Sequence, residues 1–250
     1  MRSKEGKRKG DVLYRIIIAV LVIIILFSLY KIGSILLQYH KGTSQYNKVA
    51  EENVEIKDNK NNSDVTVNWR KLMKKYDNMQ AWLYSRGTVI NYPVVQGDDN
   101  SYYLIHMVNG EMNGKGSLFI DYRDPNPFKE FMTIIYGHRM KDGSMFHSLI
   151  EYRDHDYYEK HKKMLLVTPD ASYDVIVFAA VTIPADSDKY QIEFSGEQDK
   201  QDYLDWIQKK TELKTDVEVG PEDRIVMMST CTYEFDEARL VVYGKLQKRN

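Results

Sequence analysis

From Ala81 onward the chain alternates between short apolar runs and clusters of turn-forming residues such as GDDN, NGKG, RDPNP and KDG. Runs of this length bounded by turn residues predict β-strands. The segment TPDAS between the fifth and sixth runs predicts a hairpin. Eight short strands in one domain predict a mostly β fold, either a barrel or a sandwich. The eight runs are AWLYS, VINYPVV, GSLFID, FMTIIYG, KMLLVT, SYDVIVFAAVTI, RIVMMSTC and ARLVVYGKL.

Helical spacing appears at three places around these strands. The segment NWRKLMKKYDNM has apolar residues at helical intervals, and Asn68 is a suitable N-cap. MFHSLIEYRDHDYYEKH lies between the fourth and fifth strands, and SGEQDKQDYLDWIQKKTEL lies between the sixth and seventh. Ser195 is the expected N-cap of the latter, long helix. This helix either packs on the sheet or forms the wall of a cleft.

The N-terminal region has a different pattern, because a basic segment, MRSKEGKRKG, precedes a long apolar run over 12–37. Its uninterrupted centre, Ile16–Tyr30, is 15 residues long, or about 22 Å of helix at 1.5 Å per residue. A hydrocarbon core is about 30 Å thick. Arg15 and Lys31 can extend the span, since long cationic side chains reach the interface. The pattern predicts a transmembrane helix.

A cleaved signal peptide is the alternative interpretation of this segment. It requires small residues in an A-x-A-like site just after the apolar run, and LYKIGSILLQYH contains no such pattern. An uncleaved, single-pass anchor is favoured, with its basic N-terminus in the cytoplasm by the positive-inside rule. The expected organisation is a cytoplasmic tail over 1–11, an anchor over 12–37, a flexible polar stalk over 38–67 and an extracellular folded domain over 68–250.

Composition excludes several classes of function. The net charge of -1 over 250 residues argues against a nucleic-acid-binding protein, which would be strongly basic. The single cysteine excludes an internal disulfide and any zinc site with several cysteines. No acidic cluster indicates a metal, so we expect neither a metal nor another cofactor.

That cysteine, Cys231, ends the seventh predicted strand, and Arg239 lies near the start of the eighth. A hairpin between these strands would bring the thiol and the guanidinium close together. Most single cysteines are buried core residues, and an arginine beside Glu234, Asp236 and Glu237 is usually a surface ion-pair partner. The catalytic interpretation is a cysteine nucleophile with an arginine that holds a carbonyl oxygen and its developing oxyanion.

Thiol chemistry also needs a proton carrier, and His138 is the best candidate among six histidines. It follows a buried strand and a glycine in IIYGHRM, at the kind of strand end where functional residues are held. His155 and His161 lie in a highly charged segment and are expected to be solvated. His106 and His147 stay open as candidates.

Together these residues resemble the sortases, which are membrane-anchored cysteine transpeptidases of Gram-positive bacteria. The family's nucleophile motif, TLxTC, here reads MMSTC with Met at the first position, and it is followed by an arginine on the next strand and preceded by YGH. WLYSRGTVINYPVVQGDDNSYYL, GSLFIDYR and the long helix between the sixth and seventh strands resemble class B members. The resemblance covers roughly residues 69–246.

The resemblance implies an eight-stranded sortase-type β-barrel with N-terminal helices, and it implies roles for eight residues. By motif position, Cys231 is the nucleophile, His138 the general acid and base, and Arg239 the clamp for the oxyanion or substrate. The residues that would line the substrate groove are Ser229, Thr230, Asn100, Leu104 and Tyr190.

The implied reaction cleaves an NPxTx-like sorting signal of a secreted protein after its Thr and joins the Thr to an amine of the peptidoglycan precursor through a thioester. The implied partners are sorting-signal peptides, that amine and the cell membrane. Two alternatives remain open at this point. One is a thiol peptidase that hydrolyses the same acyl-enzyme, and the other is a non-catalytic, wall-associated binding module.

Overall fold

The structure, a computed structural model, describes residues 3–59 and 62–249, with side chains described over 12–58 and 63–249. It contains five α-helices, one 3-10 helix (His147–Arg153) and ten strands in these described residues. The helices are α1 (Ser3–Asn53), α2 (Trp69–Lys75), α3 (Tyr102–Ile105), α4 (His155–Lys160) and α5 (Glu197–Lys210). The strands are β1 (Val54–Asn59), β2 (Asn62–Val67), β3 (Met79–Tyr84), β4 (Asn91–Gln96), β5 (Leu118–Ile120), β6 (Met132–Tyr136), β7 (Lys163–Val167), β8 (Ser172–Pro184), β9 (Ile225–Cys231) and β10 (Ala238–Lys248).

Strands β3 to β10 form a closed barrel in the order β10-β8-β7-β3-β4-β5-β6-β9. These strands correspond one by one to the eight predicted apolar runs, so the predicted β-barrel is confirmed. The pairs β4–β5 and β6–β9 are parallel, and the other pairs are antiparallel. Closure removes exposed sheet edges, and the parallel β6–β9 pair places the ends of two strands at the same edge of the barrel.

The barrel encloses an apolar core with few polar groups. Trp82 is fully buried, and its indole Nε1–H donates to Asn91 Oδ1 at 2.7 Å. The neighbouring core includes Leu83, Val94, Leu118 and Ile134, all with 0% exposure. Because the one polar atom of Trp82 has a partner, burial of this large side chain carries no unpaired donor.

The helices follow the predicted positions, with one difference in capping. Asn68 caps α2, since its side chain accepts from the backbone N–H of Lys71 at 3.1 Å. The predicted cap of α5 was wrong, because Gly196 occupies the N-cap position with a φ of 137°. Such a φ strongly favours glycine. Ser195 lies one residue earlier, where its backbone N–H donates to Asp199 Oδ2 at 2.9 Å.

Helix α1 carries the predicted membrane segment. An 18-residue window of it reaches a mean hydropathy of 2.9, and the side chains over 12–38 are exposed. By length and composition the helix can cross a membrane, and an apolar helix exposed all round suits lipid. The chain divides into two compact units, one ending at Lys41 and the other beginning at Gly42.

The region 38–67 differs from the flexible stalk that its composition predicts. Residues 42–53 are helical, and Tyr46 and Val49 are each 2% exposed within the C-terminal unit. Strands β1 and β2 pair as a hairpin, to which Arg249 Nη1 donates at the carbonyl oxygen of Ser63 (2.8 Å). The few apolar residues here are spaced for one helix face, a pattern that average composition conceals.

We expect Trp82→Ala to lower the free energy of unfolding by about 3–5 kcal/mol, because it leaves a cavity in the barrel and removes the partner of Asn91. Chemical denaturation of the full chain in detergent measures this loss. Met73→Ala in α2 is the control, since Met73 is 45% exposed, and its effect should stay within about 0.5 kcal/mol. A loss for Trp82→Ala no larger than the control's would contradict the packing described here.

Candidate active site

The register between β9 and β10 places Cys231 directly opposite Arg239. Cys231 is the last residue of β9, and Arg239 is the second residue of β10. The thiol is half-buried. The antiparallel hairpin therefore joins the predicted nucleophile and the predicted clamp at one edge of the barrel, as the sequence indicated.

His138 reaches the same edge through the parallel pairing of β6 with β9. Tyr136 pairs with Ser229, and the N–H of Gly137 donates to the carbonyl oxygen of Ser229 at 3.1 Å. His138 follows Tyr136 by the same two residues that separate Cys231 from Ser229. The pairing thus aligns His138 with Cys231, and the three predicted catalytic residues lie on three neighbouring strand ends.

Gly137 permits the turn that presents His138. A Cβ atom at this position would lie 2.4 Å from Leu118 Cδ2 and 2.5 Å from Phe146 Cδ2. Contacts this short do not occur for real Cβ atoms, so any side chain would push β6 or its neighbours apart. The glycine before His138 is required by this close approach rather than by its backbone angles.

The imidazole of His138 is held by helix α3. Its Nε2 lies 2.7 Å from the carbonyl oxygen of Leu104. Because a carbonyl oxygen can only accept, Nε2 carries the hydrogen in this contact. The contact fixes the orientation of the ring and connects Leu104, a predicted substrate-binding residue, to the predicted proton carrier.

Arg239 makes the ion pair that the sequence left open as an alternative. Its Nη2 lies 3.0 Å from Glu237 Oε2, and its Nη1 donates to the carbonyl oxygen of Ala238 at 3.1 Å. Glu237 is 76% exposed, so water screens this pair. A guanidinium has five N–H donors, which allows Arg239 to bind Glu237 and a substrate oxygen together.

The predicted groove residues differ in how closely they join this site. Ser229 and Thr230 in β9 are both 2% exposed, and Ser229 Oγ lies 2.8 Å from the Tyr190 hydroxyl. Thr230 is on the opposite face of the strand from Cys231, since strand side chains alternate. Asn100 contacts a neighbouring segment of the chain instead of the catalytic candidates, since its Oδ1 accepts from the backbone N–H of Tyr122 at 3.1 Å.

A groove of about 770 Å³ lies beside Tyr190. Arg123, Tyr136 and Tyr190 line one part of it, and the segment 185–193 after β8 lines the rest. Burial raises the pKa of Tyr190, and the bond to Ser229 partly opposes that rise. The Tyr190 hydroxyl therefore stays protonated and can donate.

A buried carboxylate, Asp121, supports this groove and was not among the predicted site residues. Asp121 is 0% exposed and accepts from Arg123 Nε (2.9 Å), Arg123 Nη2 (2.8 Å) and the Tyr136 hydroxyl (2.9 Å). Arg123 Nη2 also donates to the carbonyl oxygen of Tyr190 at 3.1 Å. The signal in the sequence was the string FIDYR, in which a carboxylate ends an apolar strand two residues before an arginine.

These contacts set the charge of the pair. Burial alone would raise the pKa of Asp121, but the hydrogen bonds from Arg123 and Tyr136 outweigh burial and lower it. Burial and the neighbouring Asp121 charge raise the pKa of Tyr136. An ionised Asp121 with a neutral Tyr136 is the result.

Arg153 fixes the loop between Cys231 and Arg239. Its Nη1 pairs with Glu234, and its Nη2 donates to Thr182 Oγ1 at 2.6 Å. Thr232 also donates to Glu234. The hydrogen bond from Arg153 lowers the pKa of Glu234 to about 2, so the loop keeps this charge at all physiological pH values.

The four other histidines of the C-terminal unit each contact a group other than the thiol. Nδ1 of His147 lies 2.7 Å from the carbonyl oxygen of Met140, and Nδ1 of His106 lies 2.8 Å from that of Tyr102. Nδ1 of His161 lies 3.0 Å from the carbonyl oxygen of Arg86, and His155 lies 3.9 Å from Glu159. Within residues 3–59 and 62–249, no three His, Cys, Asp or Glu side chains are grouped to bind a metal.

Comparison with known proteins gives one consistent answer. Residues 86–247 match the sortase domain family. Sortase B of Listeria monocytogenes is 38% identical over 187 residues, covering 74% of this chain and 76% of the relative, and that of Staphylococcus aureus is 32% identical over 233 residues, covering 92% and 95%. The Staphylococcus aureus sortase B–substrate complex is 29% identical, with a TM-score of 0.74, and the match covers 86% of this chain and 100% of that one. The barrel is thus of the sortase type, as the sequence resemblance implied.

We expect Asp121→Asn to destabilise the fold by about 1–3 kcal/mol near neutral pH, because an amide cannot accept from both Arg123 and Tyr136 without opposing one of their donors. The pKa of Asp121 is lower in the folded state than the usual 3.8. Its stabilising effect is therefore complete above pH 3.8 and is lost as the pH falls through the lowered value. Denaturant unfolding of both proteins between pH 2 and pH 7 (about ten conditions) measures this.

The exposed Asp98 supplies the control, since Asp98→Asn removes one carboxylate without these contacts. A stability difference between wild type and Asp121→Asn that grows on acidification would contradict an ionised, hydrogen-bonded Asp121.

Proposed function

Because the chain belongs to the sortase family and is a cysteine transpeptidase, we propose that Cys231 is its nucleophile, His138 its proton carrier and Arg239 its oxyanion clamp. The observation that supports these roles is the strand register. Cys231 pairs directly with Arg239 across β9 and β10, and the parallel β6–β9 pair brings His138 to the same strand end. Most single cysteines are buried, but this one is half-buried at the end of β9.

In the first step, the thiol proton of Cys231 passes to the His138 imidazole, and Sγ attacks the carbonyl carbon of a Thr in the sorting signal. The carbonyl oxygen becomes an oxyanion, to which the Arg239 guanidinium donates. The C–N bond then breaks, the departing nitrogen takes a proton from the His138 imidazolium, and a thioester remains on Cys231.

In the second step, an amine of the peptidoglycan precursor attacks the thioester carbonyl. His138 takes the proton that this amine loses, and Arg239 again holds the oxyanion. The C–S bond breaks, and His138 returns the proton to Sγ, which restores the thiol. The product is a new amide between the Thr and the acceptor. The same two groups serve both steps. Arg239 holds the oxyanion each time, whereas His138 gives a proton to the departing nitrogen in the first step and takes one from the attacking amine in the second.

The peptide lies, in this proposal, along the groove beside Tyr190. Ser229 and Tyr190 form one side of the contact, and Asn100 and Leu104 form the side near α3. Thr230 can contribute only backbone groups, since its side chain lies on the opposite face of β9 from Cys231. The Tyr190 hydroxyl and Ser229 Oγ are already joined, so one of them can turn to a peptide carbonyl with little rearrangement. A sortase B with the same fold has been solved as a substrate complex, which supports substrate binding by this kind of barrel. An NPxTx-like signal is the expected class.

The exposed apolar helix supports membrane attachment of the enzyme. We place the basic tail in the cytoplasm and the catalytic domain outside, as a single-pass protein of the cell membrane. This location gives the enzyme access both to secreted proteins and to cell-wall precursors.

We expect Cys231→Ala to abolish ligation of an NPxTx-like peptide to an added amine, because no thioester can form. Arg239→Ala should reduce turnover by about 10²–10³-fold, the typical cost of one oxyanion donor. Mass spectrometry of the products formed by the full chain in detergent measures both. Undiminished ligation by Cys231→Ala would refute the assignment.

Two control variants separate the roles of Arg239. Glu237→Gln breaks the ion pair from the other side, and we expect a change within about threefold because an exposed pair contributes little. Arg249→Ala removes an arginine that pairs with Asp64 at 3.0 Å on the β1–β2 hairpin, and it should leave turnover intact. An equal loss in Glu237→Gln and Arg239→Ala would mean that Arg239 acts through the ion pair.

The amine dependence of the product distinguishes the alternatives. A transpeptidase yields the ligated peptide when an amine is present. A thiol hydrolase yields only the free acid, both with and without the added amine. A non-catalytic binding module yields neither product.

A further inference from the structure

The segment Asn113–Ser117, which leads into β5, touches the surroundings of His138 on two sides. On one side its backbone supports helix α3, whose Leu104 carbonyl holds the imidazole. On the other side the Lys115 side chain reaches the loop that carries His138. These two contacts come from residues that neither the motif comparison nor the proposed mechanism uses.

On the α3 side the contact is between backbones. The N–H of Ser117 donates to the carbonyl oxygen of Tyr103 at 2.9 Å. Gly116 has a φ of +56°, and a Cβ atom there would lie 2.3 Å from the carbonyl oxygen of Tyr103 and 2.6 Å from that of Leu104. Only glycine allows this approach. The segment therefore fixes the position of the Leu104 carbonyl, which accepts from His138.

On the loop side the contact is an ion pair between a buried lysine and a partly exposed carboxylate. Lys115 is 0% exposed, and its Nζ donates to Asp142 Oδ2 and, at 2.5 Å, to Ser144 Oγ. Burial alone would raise the pKa of Asp142, but the bonds from Lys115 and Ser144 outweigh burial and lower it. Removing a lysine from water is costly, so its presence here calls for a reason beyond stability.

The loop connects this pair to His138 through its own backbone. The N–H of Phe146 donates to the carbonyl oxygen of His138 at 2.9 Å, and that of Gly143 donates to Met140 at 3.1 Å. The Met145 N–H donates to the Tyr92 hydroxyl at 3.2 Å. Residues 138–146 therefore form a closed loop whose tip, at Asp142, is fixed by Lys115 and whose base carries the imidazole.

We propose that Lys115 is a positioning residue for His138: its ion pair with Asp142 holds the loop so that the imidazole stays in line with Cys231 and the substrate. Lys115 does not touch the reacting atoms. Its effect is on proton transfer, because a displacement of the ring by about 1 Å can lower a rate by about 10²-fold.

The C-terminal part of helix α1 encloses the same segment. The Tyr46 hydroxyl donates to the carbonyl oxygen of Gly116 at 2.5 Å and lies 3.0 Å from Ser117 Oγ. A Cβ atom on Gly42 would lie 2.7 Å from Lys115 Cδ. The helix thus covers the Lys115 side chain, and these contacts attach residues 42–46 to the folded unit.

The inference rests on the proposed function. The test uses two substrates whose leaving groups differ in their need for a proton. In a sorting peptide with a scissile amide, the departing nitrogen must be protonated by His138. In the matching thioester, the departing thiolate leaves without a proton, since a thiol has a pKa of about 8.5. Single-turnover acylation of Cys231 is measured with each substrate, using the full chain in detergent.

We expect Lys115→Met to slow acylation by the amide about 10–100-fold and acylation by the thioester less than about threefold, with little change in the KM for the amide peptide. His138→Ala sets the limiting pattern. Tyr46→Phe and Asp142→Asn, which are milder changes, should show the same selectivity to a smaller extent. These two variants keep the test decisive if Lys115→Met does not fold.

Lys245→Met is the matched control. Lys245 lies 2.8 Å from Asp223, and it pairs with Ile225 at the start of β9, the end opposite to Cys231. It should leave the ratio of amide to thioester rates unchanged. Equal slowing of both substrates by the Lys115, Asp142 and Tyr46 variants, or no slowing of either, would overturn the inference. Wild-type ligation and the Cys231→Ala result test the proposed function separately.

Discussion

The site depends on the position of β9 in the barrel, between β6 and β10. The two neighbours run in different directions relative to β9, and that difference brings both of them to Cys231. Antiparallel β10 begins beside the end of β9, so its second residue, Arg239, lies opposite Cys231. Parallel β6 ends at Tyr136, opposite Ser229, so His138, two residues further on, lies at the level of Cys231. An antiparallel β6 would place its first residue there instead, and the proton carrier would have to come from another element.

This pairing fixes strand ends but not the loops that extend from them, and buried or half-buried charges hold those loops. Asp121 and Arg123 support the groove at Tyr190, Arg153 holds the loop after Cys231 through Glu234, and Lys115 holds the loop after His138. Each ion pair is directional, because its hydrogen bonds specify where the partner lies. Apolar contacts alone would permit more arrangements of three loops that must agree within a fraction of an ångström.

The sequence predicted the parts of this arrangement that follow from short-range patterns. All eight barrel strands were predicted from apolar runs and turns, and the link from Cys231 to Arg239 follows from a hairpin. The order of the strands in the barrel was beyond this reasoning, since β3 pairs with β7 and β6 with β9, strands that lie far apart along the chain. Average composition also concealed the packing of Tyr46 and Val49, because two well-spaced apolar side chains suffice to attach a short helix.

The charged residues that hold the loops around the site were harder to predict, because of where their partners lie in the sequence. Asp121, Lys115 and Arg153 are charged residues, and charged residues are usually solvated. Their burial depends on partners 2, 27 and 81 positions away, at Arg123, Asp142 and Glu234. Only the first of these separations leaves a local signal in the sequence. A pattern that repeats along a strand or helix carries no information about the other two.

In the proposed mechanism, Leu104 connects substrate recognition with proton transfer. Its carbonyl oxygen orients His138, while its side chain, 39% exposed, is placed in our proposal against the sorting peptide. Both contacts act on a four-residue helix, α3, which has few hydrogen bonds of its own and rests on the backbone of Gly116 and Ser117. A peptide that presses on the side chain therefore acts on the same short element that holds the imidazole. The contacts of Gly116 and Ser117 limit how far α3 can move. In the proposed mechanism they therefore affect proton transfer, because α3 holds the imidazole of His138.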